Sequence, residues 1–270
     1  MLIEGKGLLL LGCGKMGGAM LKGWLANGLS EKKVTVFDPR PASWLLDLQQ
    51  YGLKLNTLPH DPPSVAVIAT KPQIMSTAIP KLKEYGNGTT LFISIAAGTL
   101  ISAFENQLGL NTPIVRAMPN TPASIGKGIT GLIANEKVTP AQMKLADQMM
   151  RTVGKTVILD NEEQMHAVTA LSGSGPAYVF AMTEALQKAG MKIGLSNDVS
   201  LKLAIEMVSG AGQLMSKSNE HPSELRKNVT SEKGTTHAGL SSLMKEGVGI
   251  FELIDKTVIA ASERSRELSR

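Results

Sequence analysis

Short apolar runs rich in β-branched residues recur through the first part of this chain, at residues 8–11, 34–37, 65–69 and 91–95, with a stretch of helix length after each. Briefer pieces follow at 114–115, 130–133 and 156–159. A strand that is apolar throughout has no face to give to water, so both faces must be covered, and strands separated by helices pair in parallel. The expectation is an α/β fold: an N-terminal, doubly wound, Rossmann-type parallel sheet. Thr139-Pro140-Ala141-Gln142 marks a helix start within it, offering an N-cap, a proline at the first helical position and a capping-box glutamine.

After about residue 160 the strand signals stop. Residues 162–188, 199–216 and 240–268 read as long helices with many small side chains. Two domains are therefore expected: a dinucleotide-binding unit over residues 1–160 and an all-helical C-terminal unit over residues 161–270. A helical half of that size is large enough to bury a core alone, so size does not force oligomerisation. Its small residues suit close helix packing, either within one chain or between subunits.

Bulk properties exclude several classes. The only cysteine, Cys13, rules out an internal disulfide framework and fits a reducing, cytoplasmic setting. The apolar runs fall far short of the roughly 20 residues that span a bilayer, and the first residues lack a secretory pattern, so no membrane partner is expected. The net charge of +5 is scattered and aromatic residues make up only 4%, which disfavours nucleic acid. That positive balance would instead help draw in an anionic cofactor and a carboxylate substrate. His60, His166, His221 and His237 have no ligand spacing with one another or with Cys13, so no metal site is expected.

Gly12-Cys13-Gly14-Lys15-Met16-Gly17 is a G-x-G-x-x-G run between the first apolar strand and a helical pattern. Gly12 allows the tight turn, Gly14 lets a pyrophosphate approach the backbone, and Gly17 lets the helix sit close to the strand. Asp38 ends the second strand about 20 residues further on, where an acid meets the adenine ribose. Asp38 suits the free diol of NADH; Arg40, two residues on, suits the 2′-phosphate of NADPH. Both cofactors stay open.

Other segments admit two readings each. Thr70-Lys71-Pro72, Ala97 in Ser94-Ile95-Ala96-Ala97-Gly98, and Asn120 in a Pro-rich stretch all lie where strand ends open onto a crevice, or are ordinary loop residues. Ser172-Gly173-Ser174-Gly175-Pro176 is either a flexible, donor-rich lead-in to a helix or an interhelical loop. Residues 228–236 form a polar loop before the last long helix, in which composition alone favours Thr235 or Thr236 as an N-cap.

Taken together, the Gly-rich run, Ala-Thr-Lys-Pro at 69–72, Ala-Ala-Gly at 96–98, Met-Pro-Asn-Thr-Pro at 118–122, Ser-Gly-Ser-Gly-Pro-Ala-Tyr at 172–178 and Val-Thr-Ser-x-x-Gly-Thr-Thr at 229–236 resemble the pyrroline-5-carboxylate reductase family over nearly the whole chain. The resemblance implies reduction of a cyclic imino acid to proline by NADPH or NADH, and a homo-oligomer joined through the helical domain: a dimer, or a larger ring. It implies that Gly12, Gly14, Lys15, Met16, Gly17, Asp38, Arg40, Thr70, Lys71, Pro72, Ala97, Asn120 and Asn228 hold the cofactor. Glu162, Val229, Ser231, Gly234, Thr235 and Thr236 would hold the substrate, with Thr236 on the ring nitrogen. The chain departs from the family at Glu232-Lys233-Gly234, where Pro-Gly-Gly is usual. A β-hydroxyacid dehydrogenase shares the general plan, but its catalytic lysine has no counterpart at residues 178–184. A dinucleotide sensor without turnover is the non-enzymatic alternative.

Overall fold

The computed structural model describes residues 5–71 and 74–269, so Pro72 lies outside the described residues. Two compact units form: Met1–Ser174 with Ala261–Arg270, and Gly175–Ala260. In the first unit, strands β1 (Leu8–Leu11), β2 (Val34–Phe37), β3 (Lys54–Leu55), β4 (Val65–Ile68), β5 (Leu91–Ser94), β6 (Ile114–Met118), β7 (Gly128–Ala134) and β8 (Gly154–Ile158) make one sheet ordered β3-β2-β1-β4-β5-β6-β7-β8. The doubly wound sheet expected from the sequence is present, with one departure: β7 runs antiparallel to β6. Only a 3₁₀ turn, Thr121–Ile125, separates those two strands. That is too short for a crossover helix, so the chain must return beside its own strand.

Alternation along β1 shows why both faces are covered. Leu8 and Leu10 join a core built with α1 (Lys15–Ala26), α2 (Ser43–Gln49) and α5 (Pro140–Arg151). Leu9 and Leu11 join a second core with α3 (Met75–Ala78), the 3₁₀ helix Ile79–Tyr85 and α4 (Ile101–Leu108). Each such side chain removed from water contributes about 1.5–3 kcal/mol before chain entropy is charged against it. Trp24 of α1 fastens the first layer by donating Nε1–H to the Met149 carbonyl at 3.0 Å. The capping box read at Thr139 is formed in full, with Pro140 opening α5.

Helix α6 (Gln164–Val168) continues into a π-turn, Thr169–Gly173, where the Ser174 N–H donates back to the Thr169 carbonyl at 2.8 Å. The Ser172–Pro176 segment thus leads from this π-turn directly into the helix that begins at Gly175, with the Ser174 N–H spent inside the turn. In the same unit, His166 Nδ1 lies 2.9 Å from Ser265 Oγ, and Arg266 donates to Glu163 at 2.7 Å.

The second unit contains α7 (Gly175–Lys192), α8 (Asn197–Lys217), α9 (Pro222–Asn228), α10 (Thr235–Leu243) and the start of α11 (Ile250–Leu268). The long helix expected over 240–268 is broken between α10 and α11. Gly247 sits at φ 80, and a Cβ at Gly249 would lie 2.6 Å from the Lys245 carbonyl oxygen. Although a segment of this size could bury a core of its own, its two longest helices bury almost nothing within one chain. No residue of α7 is buried, and of α8 only Ser200 and Ala204 are.

Candidate functional site

Strand β1 ends against the Gly-rich turn, and the three glycines differ in what makes them glycine. Gly12 stands at φ 86, and a Cβ there would come within 2.9 Å of the Ala69 carbonyl oxygen. At Gly17 a Cβ would lie 2.6 Å from the Gly12 carbonyl oxygen, so the close seat of α1 on β1 requires its absence. At Gly14 a Cβ would meet nothing within 4 Å. The protein itself does not need a glycine there; a ligand approaching the backbone would. Gly14 is also the N-cap of α1, with no side-chain cap and no acid in the first turn, so the positive end of the helix is left open to an anion.

Asp38 follows β2 and turns inward. Its carboxylate accepts the Cys13 N–H at 2.7 Å and the Arg40 N–H at 2.9 Å, while its own N–H donates to the Asn56 side chain at 2.9 Å. Asp38 thus ties the Gly-rich turn to the β2 turn. Between them lies a cavity of about 450 Å³ lined by Gly14, Lys15, Lys22, Asp38, Arg40 and Trp44, among others. The Lys22 ammonium stands 4.7 Å above the Trp44 ring centroid. Sequence reasoning passed over Lys22 and Trp44. The signal for Lys22 was its position seven residues after Lys15, two helical turns along the same face as Gly18 and Ala19. Burial pushes the Cys13 thiol up to about 12, helped by the Asp38 charge and opposed by Lys22.

At the end of β4, the Thr70 hydroxyl oxygen is buried without a hydrogen-bond partner. A buried unpaired hydroxyl costs about 1–3 kcal/mol, and such groups collect beside binding sites. Lys71 is exposed, and Ala97 lies exposed in the turn before Gly98. Asn120 is buried and largely committed to the protein: its amide donates to the Ser172 carbonyl at 3.1 Å and accepts from the Ile129 N–H at 2.9 Å. Glu162 is likewise engaged, its Oε1 accepting the Ile101 N–H at 2.9 Å and the guanidinium of fully buried Arg116 at 2.8 Å.

In the second unit, the resemblance-based loop closes as a tight turn, with the Gly234 N–H donating to the Ser231 carbonyl at 3.1 Å. A Cβ at Gly234 would lie 2.3 Å from Ser231 Oγ, so a side chain there would make that hydroxyl turn away. Lys233 occupies the left-handed region at φ 60. Gly234, not Thr235 or Thr236, is the N-cap of α10; both threonines stand exposed in its first turn, correcting the expectation that one of them caps. Val229 and Ser231 are exposed beside it, whereas the Asn228 amide donates to Glu220 at 2.7 Å.

Among the described residues no three His, Cys, Asp or Glu gather to hold a metal ion, and no helix is long and apolar enough to cross a membrane. A family model for pyrroline-5-carboxylate reductase dimerisation matches residues 162–268, and one for NADP oxidoreductase, coenzyme F420-dependent, matches residues 8–98. A pyrroline-5-carboxylate reductase of Pseudomonas aeruginosa is 36% identical over 97% of this chain and 96% of its own. The structure of a pyrroline-5-carboxylate reductase from Coxiella burnetii is 34% identical, covers 98% of this chain and 99% of its own, and superposes with a TM-score of 0.89. A Plasmodium falciparum pyrroline carboxylate reductase with NADP bound is 29% identical, covers 100% of both chains and has a TM-score of 0.83. Sheet order, Gly-rich turn and open helix end define a Rossmann-type oxidoreductase. Within that class, the chain belongs to the pyrroline-5-carboxylate reductase family.

Proposed function

We propose that this protein reduces 1-pyrroline-5-carboxylate to L-proline, the last step of proline synthesis, using NADPH or NADH. One observation carries the dinucleotide half: position 14 is glycine although a side chain there would touch no protein atom. The uncapped start of α1 and the unpaired Thr70 hydroxyl fit the same ligand. The substrate half rests on membership of the family, matched along the whole chain.

A bound NADPH or NADH would supply the hydride that adds to C5 of the cyclic C=N bond, while a proton is added at the ring nitrogen. The backbone at Gly12, Gly14, Lys15, Met16 and Gly17 is assigned to the pyrophosphate, and Asp38 and Arg40 to the adenine ribose. Thr70, Lys71, Pro72, Ala97, Asn120 and Asn228 are assigned to the remainder of the cofactor. Val229, Ser231, Gly234 and Thr235 would hold the substrate carboxylate at the positive end of α10. Thr236 would hydrogen-bond the ring nitrogen and assist its proton transfer. Because Glu162 is tied to Arg116 and Ile101, its part is to shape the pocket rather than to move a proton.

The working unit is a homodimer or a ring of dimers joined by the helical segment, on the support of the dimerisation model and the apolar surface of α7 and α8. A cytoplasmic setting suits a chain whose one cysteine is a buried free thiol. The test is NADPH and NADH oxidation by purified protein given pyrroline-5-carboxylate, with Thr236→Ala alongside. Turnover that drops at least about tenfold in the variant supports reaction and site together. Cofactor binding without turnover in the unaltered protein would instead favour a sensor.

A further inference from the structure

The cavity beside the Gly-rich turn carries three cationic side chains, Lys15, Lys22 and Arg40, against one carboxylate, Asp38. That carboxylate is engaged on both oxygens by backbone N–H groups of Cys13 and Arg40. In a site selective for NADH, an acid at this position faces the ribose and repels a 2′-phosphate. Here it is turned into the backbone, with its charge partly offset by the two donors, while the cations line the opening.

Lys22 is the less expected of the three. It stands on the third turn of α1, where the absence of side chains at Gly18 and of anything beyond a methyl at Ala19 leaves room above the helix. The Trp44 ring lies against α1 at Gly18, where an added Cβ would be 3.4 Å from it, an ordinary van der Waals distance. The ring in turn carries the Lys22 ammonium at 4.7 Å. A lysine seated on an aromatic face has lost part of its rotamer freedom before any ligand arrives, and so meets an anion at a smaller entropic cost.

We propose that Lys22, held on Trp44, is a specificity-determining residue that together with Arg40 binds the 2′-phosphate and makes this protein select NADPH over NADH. The inference rests on the dinucleotide reading above and deepens it. Arg40 supplies the planar, bidentate contact and Lys22 a second charge in the same cavity.

The experiment measures binding of NADPH, NADH, 2′,5′-ADP and 5′-AMP by calorimetry, for the unaltered protein and for Lys22→Met, which keeps the stem on Trp44 and removes only the charge. NADPH and 2′,5′-ADP are expected to weaken about tenfold in the variant, as for loss of one charge-assisted contact, with NADH and 5′-AMP within twofold of their starting values. Lys22→Arg should restore most of the difference, and thermal unfolding of the free variant should match the parent. Equal weakening of both cofactors, or of neither, overturns the role of Lys22 and leaves the dinucleotide reading standing. Failure of the unaltered protein to bind either dinucleotide would bring down that reading itself.

Discussion

Lys233 holds a left-handed backbone, φ 60, a conformation that glycine adopts without strain. A Cβ in that region crowds the following carbonyl at a cost of about 1–2 kcal/mol, part of which glycine gives back through its freer unfolded chain. Lys233→Gly should therefore raise stability by about 1 kcal/mol in denaturant unfolding; an unchanged or lowered midpoint would show that the lysine side chain compensates. At Thr70 the argument runs through hydrogen bonding. Replacing the hydroxyl by a methyl in Thr70→Val keeps the shape and removes a buried unpaired group, so the ligand-free protein should gain about 1 kcal/mol while its affinity for dinucleotide falls. Cys13, with its thiol raised to about 12, should react with thiol reagents near neutral pH only after denaturation. Rapid labelling of the native protein would refute that.

Strands β1 and β2 could be read to the residue from their apolar runs, and α5 from its capping box, because each signal is local. What escaped the sequence depended on distant partners. Two-residue β3 has no apolar run of its own and exists only by pairing with β2. No sequence signal showed that the Asp38 carboxylate would also accept the Cys13 N–H, or that Glu162 would meet Arg116 of β6. That pair also satisfies the first N–H of α4, which has no side-chain cap of its own. Glu162→Ala strands a buried guanidinium and a helix-end donor together and should cost about 3 kcal/mol in urea unfolding. His166 joins α6 to the end of α11 through Ser265, and burial holds its pKa below the ordinary 6.5, with Glu163 and Glu162 opposing and Arg116 and Arg266 adding to the effect. The native state thus binds fewer protons here than the unfolded chain. Its contribution is complete above the unfolded value and is lost as pH falls through the folded one. Between about pH 7.5 and about pH 5.5 the parent should lose more stability than His166→Asn, an ordering that denaturation at both pH values would check.

At the scale of the whole molecule, the helical segment poses the sharpest energetic problem. A helix is stabilised mainly by burying its apolar face, yet α7 and α8 present Phe180, Leu186, Leu203, Ile205 and Leu214 to solvent within one chain. Large apolar side chains left bare in such number point to a surface covered in the assembled protein, and helix propensity alone does not hold such segments together. Residue counts could not reveal this, since a segment of this length is able to form its own core; the answer lies in where the apolar side chains point. If copies of the chain cover these faces for one another, folding and association are linked, and the melting temperature must rise with protein concentration. Sedimentation of the parent should show a homo-oligomer at micromolar concentration. Ile205→Glu, which sets a charge on the exposed face of α8 without touching the sheet, should shift the population towards monomer, lower the melting temperature and weaken its concentration dependence. A parent that sediments as a monomer with a concentration-independent melt would mean that these helices are stable bare, and the coupling between association and folding would have to be given up.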